Sequence, residues 1–210
     1  MIDWSTVASM ATAGGTLVLG LATFASVRSA QRAARTAERS LLAGLRPLLF
    51  ASRAEDPSVK VMWGDQHFAH VPGGQATVEL VGDVLYLAMN VRNVGSGIAV
   101  IHSWYAWPEW QGAEGSDPDP HTFRRQQRDL FVPAGDTTFW QGAIRDADDP
   151  QRAELTASAS ERRQMSIDLL YGDLEGGQRT ITRFGLTPIG EDRWLCAVSR
   201  HWHLDRASPR

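Results

Sequence analysis

His201 and His203 stand two residues apart near the end of the chain. On a strand that spacing puts both imidazoles on one face, where neutral rings could ligate a metal. Asp205 is the one further donor close by in sequence. Zinc sites take three or four ligands, so these read as solvated strand-end histidines. His67 and His70 form a weaker pair in an expected loop. Asp146-Ala147-Asp148-Asp149 resembles the start of a calcium loop, but Gln151 and Ala157 occupy the positions that need Gly and Glu. Asp117-Pro118-Asp119-Pro120 reads as a stiff exposed loop. No Gly-x-Ser-x-Gly, phosphate-cradling loop, His-Glu-x-x-His or Cys-x-x-Cys occurs. Triads assembled from distant positions leave no such trace, so a hydrolase stays a minor alternative with no named residue. The expectation is a non-enzymatic chain with no catalytic residue, no metal ligand and no cofactor.

The aromatic and cationic residues point to binding. Trp104, Trp107 and Trp110 fall within Ser103-Trp104-Tyr105-Ala106-Trp107-Pro108-Glu109-Trp110. Trp and Tyr anchor many interfaces. Trp104 and Trp140 are assigned to packing. Trp107 and Trp110, beside a loop rich in Gly and Pro, are the candidate partner surface. Arg124-Arg125-Gln126-Gln127-Arg128 is a short basic patch, suited to anionic lipid or to neighbouring acids. Arg179 and Arg183 share a strand face around Ile181, so at least one should be paired or lie at a sheet rim. Cys196 is alone and cannot form an internal disulfide or a Cys-based zinc site. It reads as a buried strand residue compatible with a reducing compartment.

These residues need elements to hold them, and the chain supplies two kinds. Trp4 to Val27 is free of charge. As a helix its 24 residues span about 36 Å, enough for a hydrocarbon core of about 30 Å. Ser5, Thr6, Ser9, Thr12, Gly14, Gly15 and Thr16 dilute its first half. A cleaved signal peptide needs positive charge before its apolar core, and here the first, Arg28, follows it. That order predicts a retained transmembrane helix with the N-terminus outside and the rest cytoplasmic. Ser29 to Leu45 should continue the helix until Pro47 stops it. Arg28, Arg32, Arg35 and Arg39 share one face and suit anionic headgroups. Roughly opposite runs a stripe that includes Thr16, Gly20, Ala30, Ala34 and Ala37, a spacing that permits self-association into a homo-oligomer.

After Pro47 short runs rich in β formers alternate with turns. Candidate strands are 48–52, 59–63, 76–81, 84–92, 98–104, 129–132, 137–141, 166–171, 179–184 and 194–202, with one helix at 150–163. Leu85, Leu87, Met89 and Val91 should face one way. This predicts a mainly β fold: an antiparallel sandwich after the N-terminal helix. The expected parts are a transmembrane helix at 1–27, a basic juxtamembrane helix at 28–46, the β domain at 47–205 and a tail at 206–210. The chain carries a net charge of −3, and residues 54–210 carry −7 of their own. Such a domain repels phosphate backbones, which argues against a nucleic-acid partner.

Leu87-x-Met89-Asn90-Val91-x-Asn93-x-Gly95-x-Gly97-x-Ala99 and Ile167-x-Leu169-x-Tyr171-x-Asp173-x-x-Gly176-x-x-Arg179-x-x-x-Arg183-Phe184 carry a resemblance. They resemble the turns and hairpins of immunoglobulin-like domains in uncharacterised bacterial single-pass membrane-anchored proteins. The resemblance implies architecture and no catalytic residues. Together these readings describe a membrane-tethered interaction module with the bilayer and another protein as partners. An extracytoplasmic domain that binds a ligand or the envelope is the alternative.

Overall fold

A computed structural model describes residues 3–112 and 116–206. The chain divides into two compact units, meeting between Gly44 and Leu45.

The first unit is one helix, α1 (Trp4–Gly44), of 41 residues. At about 1.5 Å per residue it is about 62 Å long. Asp3 Oδ1 accepts from Ser5 N at 3.1 Å, which caps the helix start. Four hydroxyls in or beside the apolar run turn back onto the helix. Ser9 donates to Ser5 O, Thr12 to Ala8 O, Thr16 to Thr12 O and Thr23 to Leu19 O, at 2.8 to 2.9 Å. Each of these four hydroxyls is thus satisfied within the helix, as a medium without water requires. Leu17, Val18, Leu19, Leu21 and Phe24 are all exposed. The stretch Ala8–Glu38 is long and apolar enough to cross a membrane. The helix stops at Gly44, three residues before Pro47.

The second unit is mainly β. Its strands are β1 (Leu49–Ala51), β2 (Val59–Met62), β3 (Phe68–Val71), β4 (Gln75–Val81), β5 (Val84–Asn93), β6 (Ala99–Trp107), β7 (Arg124–Val132), β8 (Thr137–Ile144), β9 (Met165–Gly172), β10 (Arg179–Ile189) and β11 (Arg193–His203). One helix, α2 (Arg152–Ser160), interrupts them. Nine strands form one antiparallel sheet in the order β1-β5-β4-β11-β10-β9-β6-β7, with β8 on β5, and β2 and β3 form a separate hairpin. The main core draws on all nine sheet strands and on Leu155 of α2. Leu85, Leu87, Met89 and Val91 face it together, fully buried. The opposite face of β5 is covered too, because Val61, Trp63, Ala69 and Val71 of the hairpin region pack on Tyr86 and Ala88.

The start of this unit is clamped by the turn after β5. Buried Asn93 accepts from Leu48 N and Gly95 N, at 3.1 and 3.0 Å, and donates to Gly97 O and Val132 O, at 2.7 and 3.0 Å. Val94 N also donates to Leu48 O. A Cβ on Gly95 would lie 2.6 Å from Leu48 N, and one on Gly97 would overlap the Leu45 carbonyl oxygen. Both positions need glycine because the chain passes too close for any side chain.

Three expectations are corrected. Residues 68–71, expected in a loop, form β3, whose exposed Phe68 and His70 alternate with buried Ala69 and Val71. The basic patch at 124–128, expected to precede a strand, is itself the first half of β7. The helix expected at 150–163 spans only Arg152–Ser160, with Gln151 as a cap that makes no side-chain bond.

Replacing Asn93 with Ala leaves buried backbone groups without partners. The Asn93→Ala chain should lose about 3 kcal/mol in urea unfolding, whereas exposed Ser96→Ala should stay within about 0.5 kcal/mol.

Candidate binding cleft

Each polar constellation is built differently. The first is structural. Arg183 of β10 and Asp168 of β9 are register partners and both fully buried. Arg183 Nε and Nη2 donate to the two Asp168 oxygens, each at 2.7 Å. Trp107 Nε1 donates to Asp168 Oδ2 at 2.8 Å, and the guanidinium lies over the Trp107 and Trp202 rings, 5.2 and 4.8 Å from their centroids. Planar guanidinium pairs with a carboxylate and stacks on aromatics at once, which a lysine cannot do. Of the two arginines read as face partners, Arg183 is the paired one and Arg179 is exposed. Trp107 is therefore tied into the fold. Trp110 rests on the glycine side of the same strand, its Nε1 3.0 Å from where a Gly185 Cβ would stand, yet stays 54% exposed.

The second constellation joins the beginning of the β domain to its last strand. Leu49 N donates to Tyr171 OH at 3.1 Å, which bonds Thr182 Oγ1 at 2.8 Å, which bonds His201 Nδ1 at 2.8 Å. Arg46 Nη1 lies 3.2 Å from His203 Nδ1 and pairs with Asp205. Burial, with His203 beside it, pushes His201 down to about 4, and burial pushes Tyr171 up to about 12. The Nδ1 atoms of both imidazoles face threonine hydroxyls, that of His203 also the Arg46 side chain, and His201 Nε2 is buried without a hydrogen-bond partner among the described residues. Among the described residues no group of three metal-ligating side chains converges.

The third is an open cleft of about 730 Å³ between β7, β8 and the hairpin. Its floor is Trp63, Trp104, Phe139 and Gly142, and its walls carry Lys60, Arg124, Arg125, Arg128 and Arg145, with no carboxylate among the lining residues. Arg124 is fixed by Asp149, Nη2 to Oδ1 at 2.7 Å, and lies 5.2 Å from the Trp104 ring centroid. Arg145 reaches Asp65 at 3.0 Å. The Tyr86 hydroxyl first, and Arg145 after it, hold the Asp65 carboxyl at about 2. Lys60, Arg125 and Arg128 make no ion pair among the described residues. The basic patch was legible in sequence. Lys60 and Arg145 were not, because the hairpin turn and β8 bring them in from about 65 and 20 residues away.

On α1, Thr16, Gly20, Arg28, Ala30, Arg32, Ala34, Arg35 and Ala37 are exposed, and the Arg39 side chain lies outside the described residues, as do positions 207–210 of the expected tail.

Two predictions follow the buried groups. Asp168→Ala strands a buried guanidinium and should cost about 3–5 kcal/mol, and adding Arg183→Met should restore part of that loss in the same urea titration. His201 holds its proton less well in the fold than at its ordinary value of 6.5. Stability from this group is therefore complete above about pH 6.5 and falls away toward pH 4, by up to about 3 kcal/mol. His102 and His203, lowered chiefly by burial, slope the same way. Unfolding midpoints of His201→Gln should vary less between those pH values than those of the parent chain.

No family model matches this chain, and no curated protein matches it.

Proposed function

We propose that this chain is a membrane-tethered binding module. In this reading residues 4–27 cross the bilayer, and Arg28, Arg32, Arg35 and Arg39 stay with the anionic cytoplasmic leaflet. The β domain stands on the cytoplasmic side and holds a protein partner. One observation carries the tether: an apolar helix whose described side chains are all exposed and whose hydroxyls bond its own backbone. A helix apolar all round needs an apolar surrounding. The cleft supports the binding role, being concave, aromatic-floored and of the size that ligand sites take. The likeness to membrane-anchored immunoglobulin-like domains fits the same architecture.

Sedimentation of broken cells without detergent tests the tether. The full chain should pellet and a chain lacking residues 4–27 should stay in solution; full chain in the supernatant would refute the reading. Cys196 is no reporter of sidedness, since it is buried and burial pushes its thiol up to about 12. Glu175→Cys, in an exposed turn, serves instead. An impermeant maleimide should label it only after lysis, and labelling of intact cells would turn the domain outward.

A further inference from the structure

We infer that the cleft between β7 and β8 receives an acidic peptide segment in extended conformation, which adds to the free edge of β8 as a strand. The inference rests on the reading of the β domain as a binding module and names the ligand class of its cleft.

The backbone supplies the first argument. Asn93 N donates to Asp136 O at 3.0 Å, which fixes where the β5–β8 ladder bonds. In an antiparallel pair the bonded positions recur every second residue. With Val91 opposite Thr138, Met89 opposite Trp140 and Leu87 opposite Gly142, those residues turn their amides to β5. Thr137, Phe139, Gln141 and Ala143 therefore aim N–H and C=O groups away from β5. β8 pairs with no other strand. Two of these groups are occupied: Thr137 N donates to Asp136 Oδ1 at 2.8 Å, and Gln126 Nε2 donates to Gln141 O at 2.7 Å. Phe139, Gln141 and Ala143 line the cleft, so a row of strand-edge groups faces it. Such an edge is the template that peptide recognition by strand addition uses.

The opposite wall explains why the edge is free. β6 and β7 pair at Ile101–Leu130 and again at Ser103–Arg125, leaving His102 opposite four residues, 126–129. β7 thus leaves its ladder where it passes β8. The Trp104 and Trp140 rings, 5.3 Å apart, fill the space behind.

Charge supplies the second argument. Five cationic side chains line the cleft in a domain whose residues 54–210 sum to −7. Lys60 is the only lysine of the chain. Acidic side chains of an inserted strand would meet Lys60 on the hairpin and Arg125 and Arg128 on β7. An apolar residue at alternate positions would lie on Trp63 and Phe139.

Fluorescence anisotropy tests this with the full chain in neutral phosphatidylcholine nanodiscs. The probe is a labelled, end-capped peptide of alternating Glu and Val, about six residues long as strands ordinarily are. It should bind saturably, and more weakly when salt rises from about 0.05 to about 0.5 M. A matching Lys-Val peptide should not bind. A central proline, which removes a strand N–H, should weaken binding at least about tenfold. Arg125→Glu with Arg128→Glu on β7, and independently Lys60→Glu on β2, should each do the same; all three positions are exposed and should leave the unfolding midpoint unchanged. No saturable binding, equal binding of the proline peptide, or indifference to both sets of variants overturns the inference. Binding only of soluble short-chain phosphatidylglycerol, lost in the same variants, overturns it in favour of a lipid headgroup. A chain that pellets with membranes yet ignores the peptide refutes this inference alone.

Discussion

A curled antiparallel sheet either closes on itself or leaves two edges facing each other, and this one is stopped just short of closing. β7 and β8 end the strand path, and side chains bridge them where backbone does not: Trp140 Nε1 donates to Gln126 Oε1 and Gln126 Nε2 to Gln141 O. A Cβ on Gly142 would lie 2.9 Å from the Trp140 ring and 3.0 Å from that of Trp104, so the two indoles pack closely on the core face behind this edge. The register break opposite His102 settles the remaining length of β7 outward. The cleft lies where the β6–β7 ladder is interrupted and β8 has no further strand partner.

Side-chain bonds also hold the start of the second unit. An apolar helix that supplies all its own hydrogen bonds ends at Gly44, and within four residues the backbone is bonded to Asn93 and Val94. Arg46 and Asp205 tie the same stretch to the chain's last strand region. Every group of this clamp belongs to the second unit.

What the sequence shows follows from which interactions are local. Hydrophobic alternation in Leu85–Val91 and the neutral run from Trp4 to Val27 are patterns of neighbours, and the first forms a strand and the second an exposed apolar helix. Asn93-x-Gly95-x-Gly97 was legible as a turn, but not as the clasp on residues 45–48, because its partner lies about 45 residues back. The strand at Phe68–Val71 was hidden by its two histidine neighbours and its brevity, since a four-residue hairpin arm owes its form to the packing of Trp63 on Tyr86. Trp107 looked like a surface residue, and only the pairing of β9 with β10 shows that Asp168 claims its N–H. The cleft was half visible. Arg124 to Arg128 declared one wall, while the free edge of β8 depends on the register with β5 and has no trace in composition.

Electrostatics gives the cleft a selectivity that its shape alone does not. Outside it the domain is predominantly acidic, and unscreened fields reach about 8 Å at physiological salt. A long polyanion would lay phosphates against that acidic surface on both sides of the cleft, and repulsion there would offset what the cleft gains. A short acidic segment, as proposed, would meet the cations and little else. The orientation of Arg124 is fixed by Asp149 and that of Arg145 is guided by Asp65, so those two arrive partly neutralised and preorganised. Lys60, Arg125 and Arg128 carry the uncompensated charge, on two separate elements that line the cleft beside the edge of β8. On the proposed reading, cationic walls beside a row of backbone donors and acceptors would select a ligand by charge and by extension together, because a ligand that lacks either would leave polar groups unpaired or like charges in contact.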